Sequence, residues 1–140
     1  MATTATISLA SDISSGFGGL TKTMTLTEAG TNIDLKETTG YSRRKLASAS
    51  KVDLVTMANL IVGEDTTNLS HKIFIKNIGN NGVIDKSVGV KVFINSVEIG
   101  VLYGGDWMMM PIIASDGEDV EVQPATDDAV VLEWCMFYEG

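Results

Sequence analysis

The side chains best suited to bind a metal ion lie in one acidic stretch near the C-terminus. Asp116, Glu118, Asp119 and Glu121 lie close together in the chain, and Ca²⁺ prefers oxygen ligands such as these carboxylates. The stretch departs from the calcium loop of helix-loop-helix proteins, because its glycine and terminal glutamate are misplaced. We therefore interpret residues 116–121 as a solvated acidic turn and predict no metal or other cofactor.

Residues suited to nucleophilic or acid–base catalysis are few. The chain has one cysteine, Cys135, and one histidine, His71, and no serine-nucleophile or phosphate-loop motif. Cys135 lies in an apolar segment, where a buried thiol is commoner than a reactive one. A single cysteine excludes an intrachain disulfide and a cysteine zinc site. The sequence predicts a protein that is not an enzyme, with a site of carboxylates alone as the alternative.

The residues from Trp107 to Met110 form an unusual apolar group. In a strand, Met109 points to one face and Met108 and Met110 point to the other. Trp and Met are enriched at the centres of protein interfaces. The group therefore belongs either to a central strand between two layers or to a contact surface of an oligomer.

Two further features indicate contact surfaces. Three consecutive cations, Arg43 to Lys45, are the only dense basic group, and they predict either a solvated loop or a contact with an acidic partner or nucleic acid. Phe17 stands alone among glycines, so we expect it to pack against another part of the assembly. The candidate interface residues are Phe17, Arg43, Arg44, Lys45, Trp107, Met108, Met109 and Met110.

Charge is distributed unevenly along a chain whose net charge is −8. Residues 1–91 hold all ten Lys and Arg and eight acids, a net of +2, whereas residues 92–140 hold ten acids and no Lys or Arg, a net of −10. This asymmetry favours a second copy of the chain as partner, basic face to acidic face. It disfavours nucleic acid, whose phosphates the overall charge repels. An ordinary acidic surface explains the same composition.

Strand patterns account for most of the chain. Val88 to Ile94, Ile99 to Tyr103, Trp107 to Ile113 and Val130 to Tyr138 are rich in β-branched and aromatic residues bounded by turn residues. We also expect a turn over residues 77–82, a hairpin return strand over residues 33–36, and a strand rather than a helix from Val52. The sequence contains no run of 18 apolar residues, so it predicts no membrane-spanning helix.

The spacing of these segments predicts the architecture. About eight or nine strands with turn signals every ~8–12 residues favour an all-β fold, an antiparallel β-sandwich that is jelly-roll-like. Residues 1–20, with a glycine-rich hinge, are interpreted as an extended N-terminal arm, and residues 21–140 as the sandwich domain. The last strand is apolar on both faces apart from Glu133, which predicts a strand that is either central in the sandwich or covered on both sides by neighbours.

The second half of the chain resembles a known group of proteins. The ordered segments KIFIKN, VKVFIN, IGVLYGGDWMMMP, DVEVQPA and LEWCMFYEG, within residues 70–140, resemble small virion proteins of tailed bacteriophages, notably marine and cyanobacterial phages. The resemblance implies a β-sandwich or jelly-roll fold and a structural role. It carries no catalytic residues, and the N-terminal half does not match.

The resemblance implies a capsid decoration (cement) protein. Its partners would be the major capsid protein and further copies of itself in a homotrimer, without nucleic acid or membrane. The protein would be made in the host cytoplasm and reside on the capsid surface of the virion. Two alternatives remain open at this point: a tail or neck component, such as a tube or adaptor protein, and a carbohydrate-binding or receptor-binding module that uses Trp107, Tyr103 and Tyr138.

Overall fold

The computed structural model describes residues 3–9, 20–27, 35, 37–47, 49–56, 70–80, 83–113 and 119–138. These residues form strands, turns and loops without a helix, which confirms the predicted all-β class, and none of them lies in a helix able to cross a membrane. The strands are β1 Thr4–Leu9, β2 Leu20–Thr25, β3 Glu37–Thr38, β4 Ser42–Leu46, β5 Val52–Val55, β6 Ser70–Asn80, β7 Gly89–Ile94, β8 Val97–Tyr103, β9 Trp107–Ile113, β10 Val120–Pro124 and β11 Val130–Tyr138.

Two antiparallel sheets pack against each other. The front sheet has the order β3-β11-β6-β9, with β4 also paired to β11, and the back sheet has the order β5-β10-β7-β8. Counted from β4, the strands of the two sheets follow the orders 1-8-3-6 and 2-7-4-5, which is the arrangement of a jelly roll. The predicted jelly-roll-like sandwich is confirmed, with β1, β2 and β3 as additional strands.

The core lies between the two sheets and follows from alternation along the strands. Val120 and Val122 of β10 are buried, whereas Glu121 between them is partly exposed. Ile73 and Ile75 of the front sheet belong to the same apolar cluster as the back-sheet valines. Removing each such side chain from water stabilises the fold by about 1.5–3 kcal/mol.

Strand β6 is longer than the sequence indicates. The predicted turn over residues 77–82 is wrong for residues 77–80, which continue β6. The buried Asn77 side chain makes this continuation favourable, because its amide donates hydrogen bonds to the carbonyls of Val88 (2.9 Å) and Leu102 (2.8 Å). Its Oδ1 accepts the Gly79 N–H at 2.7 Å. Asn77 therefore connects the front sheet to the back sheet.

The stretch around Arg43 is a strand. The loop interpretation of residues 43–45 is wrong, since they lie in β4 and pair with β11. β4 and β3 both pair with β11, but their registers differ by one residue. Gly40 lies between β3 and β4 and has a φ of 77°. A glycine adopts such a φ without steric cost. The Thr39 Oγ1 accepts the Met136 N–H at 2.9 Å, which keeps that amide hydrogen-bonded across the irregularity.

The prediction that the last strand is central is confirmed. β11 spans Val130–Tyr138 and lies between β6 on one side and β3 and β4 on the other. The strand preferred from Val52 is also confirmed as β5, while residues 57–62 lie outside the described residues. The turn between β7 and β8 places Asn95 and Ser96 at φ values of 47° and 65°, as in a type I′ hairpin.

The N-terminal strands form a separate two-stranded sheet. β1 and β2 pair from Thr4↔Thr25 to Leu9↔Leu20. The return strand expected over residues 33–36 lies outside the described residues except for Leu35, whose N–H donates to the Leu26 carbonyl at 3.0 Å. Leu26 and Leu35 are both buried, so they anchor the base of this hairpin. The division into an arm and a sandwich domain stays a prediction.

Candidate docking face

The outer face of the front sheet is defined by the alternation of its strands. On β6, Ile73 and Ile75 belong to the core, so Lys72, Phe74 and Lys76 point outward. The residues paired opposite these three extend the same face onto β9 and β11. We call this surface the front face, and it comprises Tyr41, Arg43, Lys45, Lys72, Phe74, Lys76, Trp107, Met109, Pro111, Val131, Glu133, Cys135 and Phe137.

A row of three aromatic rings crosses the front face. Phe74 lies between Tyr41 and Trp107, with ring centroids 6.3 Å and 6.1 Å from its own. Aromatic pairs at such distances attract each other by about 0.5–1.5 kcal/mol beyond the burial of their area. Tyr41 nevertheless remains 62% exposed and Trp107 47% exposed. The row is thus held in place while two large rings stay in contact with water, as in a surface that binds a partner.

Glu133 fixes two side chains of this face. The Tyr41 hydroxyl donates a hydrogen bond to Oε2 of the buried Glu133 carboxylate at 2.6 Å, and Arg43 donates to Oε1 from Nε (2.7 Å) and Nη2 (2.6 Å). These hydrogen bonds hold the pKa of Glu133 below its usual value, and the bond from Tyr41 has the largest effect. The hydrogen bond between Tyr41 and Glu133 also raises the pKa of Tyr41 to about 12. A carboxylate bonded in this way stays ionised and positions its neighbours; it is poorly suited to accept a proton in catalysis.

The front face is basic. Its described residues include four cations, Arg43, Lys45, Lys72 and Lys76, and one carboxylate, Glu133, which is paired with Arg43. The chain as a whole carries a net charge of −8. The front face therefore differs in sign from the protein around it and would attract an acidic surface.

The β1–β2 hairpin forms one wall of a groove along the front face. Ala5 and Ile7 of β1 line two adjoining compartments, of about 380 and 400 Å³, and Met109 lines both from the opposite side. One compartment extends to Phe74, Lys76 and Trp107, and the other to Lys72 and Pro111. The opposite side of the hairpin carries exposed hydroxyls, with Thr6 and Thr23 hydrogen-bonded at 2.9 Å. The hairpin thus turns an apolar side toward the front face and a polar side toward water.

The structure brings together part of the predicted interface. Arg43, Lys45, Trp107 and Met109 lie on the front face, and Met108 and Met110 pack against the core, in agreement with the predicted alternation. Arg44 instead reaches the back sheet, where its guanidinium donates to the backbone carbonyl of Asp53. Phe17 lies outside the described residues.

The aromatic residues of the carbohydrate-binding alternative do not share a surface. Trp107 lies on the front face, whereas Tyr103 ends β8 of the back sheet. Tyr138 packs against the core, with its ring 6.0 Å from that of His71. Trp107 begins a strand at the edge of the sheet and points outward, so it remains accessible.

The single cysteine, predicted to be a buried thiol, and the single histidine are both buried. Cys135 lies in β11, and burial raises the pKa of its thiol, which disfavours the reactive thiolate. His71 is fully buried, and burial lowers the pKa of its imidazole. Among the described residues no three potential metal ligands come together, and much of the acidic stretch 116–121 lies outside them.

Sequence reasoning missed Tyr41, Phe74, Lys76 and Glu133. A signal for two of them exists, because Lys72, Phe74 and Lys76 alternate with the core residues Ile73 and Ile75. Tyr41 and Glu133 are far apart in the sequence, and only the pairing of β4 with β11 brings them together.

Comparisons with known proteins add no family assignment to this geometry. No protein-family profile matches the chain, and no curated protein matches it.

Proposed function

We propose that this chain is a non-enzymatic structural protein of a tailed-phage virion, a capsid decoration protein that docks on the major capsid protein. The observation that carries the docking proposal is an exposed aromatic row on a basic face of an acidic chain. The virion setting rests on the resemblance of residues 70–140. Jelly rolls are common in viral capsid proteins and in lectins, which is an analogy of fold and not of site.

Docking would use the two properties of the front face in different ways. Trp107 and Phe74 would be removed from water and supply most of the affinity, as buried aromatic anchors do. Lys76 and its neighbouring cations would steer the face toward an acidic capsid surface and set the orientation. Because screening weakens such steering, binding should become slower and weaker as the salt concentration rises.

The N-terminal segment would extend the contact. Residues 1–20, which include β1, would act as the arm that pins the domain to the capsid, and the hairpin already borders the groove beside Met109. Self-association is part of the proposal, and the resemblance implies a homotrimer. The resident location would be the outer surface of the phage head.

Co-sedimentation with purified capsid shells of the phage that encodes the chain tests this proposal. We expect saturable binding, weakened by about 30-fold or more in Trp107→Ala and in Lys76→Glu, since truncating a central anchor costs about 2 kcal/mol. Lys86→Glu makes the same charge change in an exposed turn away from the front face and should leave binding unchanged. Equal binding by all three variants, or no binding by the parent protein, would refute front-face docking.

Carbohydrate binding is a second candidate, and the row of Tyr41, Phe74 and Trp107 is the observation that favours it. Aromatic rings present the apolar faces on which sugar rings stack, and the surrounding cations would select acidic glycans. A glycan array probed with the parent protein and with Trp107→Ala distinguishes the two candidates. Binding of acidic glycans that depends on Trp107, without capsid binding, would replace the first proposal with the second.

A further inference from the structure

A second exposed apolar surface lies on the back sheet. Among the described residues, eight large hydrophobic side chains are exposed, and three of them, Met24, Tyr41 and Trp107, belong to the hairpin or the front face. The other five lie on β8 or in the loop that approaches the end of β8: Val83, Ile84, Val97, Ile99 and Tyr103. The docking proposal makes no use of this second group.

Strand β8 is an edge strand. Within the described residues it pairs only with β7, so its other side presents backbone N–H and C=O groups without a strand partner. Its side chains Val97 (65% exposed), Ile99 (43%) and Tyr103 (50%) are accessible. An exposed edge strand of seven apolar-rich residues is a template for pairing with another chain.

The other described edges of the two sandwich sheets carry features that discourage such pairing. β9 contains Pro111, which lacks an N–H, and the hairpin groove lies beside it. β4 carries Arg43 and Lys45, β3 has only two residues, and β5 only four. β8 has no Lys, Arg or Pro, and its one protective device is a bulge, where the register with β7 shifts between Gly100 and Glu98.

We propose that β8 is the self-association surface of this protein and pairs antiparallel with β8 of a second copy about a two-fold axis at Gly100. Gly100 is the middle residue of β8, so this register places Val97 opposite Tyr103 of the partner and Ile99 opposite Val101 of the partner. Ile99 and Val101 then cover the same residues of the partner, whereas the bulge places Val97 on the core side of the back sheet and Tyr103 on its outer side. The two back sheets join into one continuous sheet of eight strands.

Charge is compatible with this register. Glu98 is the only charged residue of β8, and its carboxylate accepts a hydrogen bond from Lys91 Nζ at 3.0 Å. In the pairing centred on Gly100, Glu98 lies opposite Leu102 of the partner, about 13 Å along the strand from the partner's Glu98. A chain with a net charge of −8 repels its copies over most of its surface, so an edge whose single carboxylate is paired with Lys91 is a favourable place for self-contact.

Solution mass tests the proposal. Light scattering behind a sizing column should give twice the 14.9 kDa of the chain, and Ile99→Lys should halve the measured mass by placing two unpaired cations at the interface. Trp107→Lys, which adds the same charge on the front face, should leave the mass unchanged, and circular dichroism should show that both variants are folded. A monomeric parent protein, or an Ile99→Lys variant of unchanged mass, would overturn the proposal.

A cysteine at the two-fold axis tests the register. A Cβ added at Gly100 meets no atom within 4 Å, so Gly100→Cys fits the fold, and opposite residues of paired strands are close enough for a disulfide. Oxidised Gly100→Cys should run as a covalent dimer on a non-reducing gel, whereas Val97→Cys should not, because two copies of residue 97 lie about 20 Å apart in this register. The parent's Cys135 is buried and serves as the background control.

A head-to-tail homotrimer, as the resemblance implies, would give three times the chain mass and no Gly100→Cys dimer, and that result would overturn the two-fold pairing. The proposal does not depend on the docking function, because it uses the opposite sheet. Capsid binding can therefore fail while the dimer persists, and the reverse outcome is equally distinguishable.

Discussion

The buried polar side chains of the described residues have three different roles. Glu133 holds Tyr41 and Arg43 on the front face. Asn77 satisfies backbone groups on both sheets. His71 has neither ring nitrogen hydrogen-bonded, although it is fully buried. Since a buried polar group without a partner is costly, His71 is a weak point of the core and Asn77 a strong one.

Asn77→Ala should destabilise the fold strongly. The substitution removes the partners of the Val88 and Leu102 carbonyls and of the Gly79 N–H, and each unsatisfied buried group costs about 1–3 kcal/mol. We expect the free energy of unfolding, measured by urea denaturation, to fall by at least about 3 kcal/mol. Asn95→Gly, in the positive-φ turn between β7 and β8, is the control and should be nearly neutral. An equal effect of the two changes would contradict the role assigned to Asn77.

His71 should make stability fall as the pH is lowered through and below the unfolded pKa near 6.5. Burial lowers the pKa of the folded imidazole below the unfolded value near 6.5, so the unfolded chain binds the proton more readily. Stability is therefore fully present above pH 6.5 and is lost as the pH falls, by at most about 1.4 kcal/mol per pH unit. Urea denaturation across this range should show a flatter profile for His71→Leu. An unchanged profile would show that another group is responsible.

Strands of the sandwich and strands of the hairpin differ in their hydrogen-bonded neighbours and in their contribution to the core. β11 is hydrogen-bonded on both sides, to β6 and to β3 and β4, and it supplies core residues such as Leu132 and Met136. β1 pairs only with β2 among the described strands, and its side chains contact the groove. The two elements should therefore respond differently to deletion.

Deleting residues 2–18 should leave the sandwich folded and abolish capsid binding. β1 contributes none of the buried core, whereas removal of residues 130–138 takes out a central strand and should unfold the domain. Circular dichroism and thermal unfolding measure the first outcome, and co-sedimentation with capsid shells measures the second. Loss of folding in the N-terminal deletion would exclude the arm role.

How well the sequence predicts the structure differs from one strand to another. Strands with nearly continuous apolar runs, such as β9 and β11, are predictable to the residue, because burial on one or both faces leaves a clear pattern. β4 is not, because its sequence, SRRKL, is polar, and pairing with β11 stabilises it. The front face is likewise only partly predictable. Trp107 and Arg43 can be identified from the sequence as candidate interface residues, but the hydrogen bond between Tyr41 and Glu133 depends on the pairing of β4 with β11.

At the scale of the whole molecule, the charge asymmetry of the sequence takes a spatial form. Four cations, Arg43, Lys45, Lys72 and Lys76, gather on the front face. Glu98 and Glu121 of the back sheet are paired with Lys91 and Lys51. The protein therefore presents one basic, aromatic face and one apolar edge at β8. The proposed decoration function would use both surfaces, one for the capsid and one for neighbouring copies.

The most direct test of the central claim is an electron cryomicroscopy map of the virion that contains this chain. The account predicts a β-sandwich on the outer surface of the head, with the front face, including Trp107 and Phe74, buried against the shell. Its absence from the head, its presence only in a ring of the tail or neck, or a contact made by the back sheet with the front face open to solvent would contradict the account.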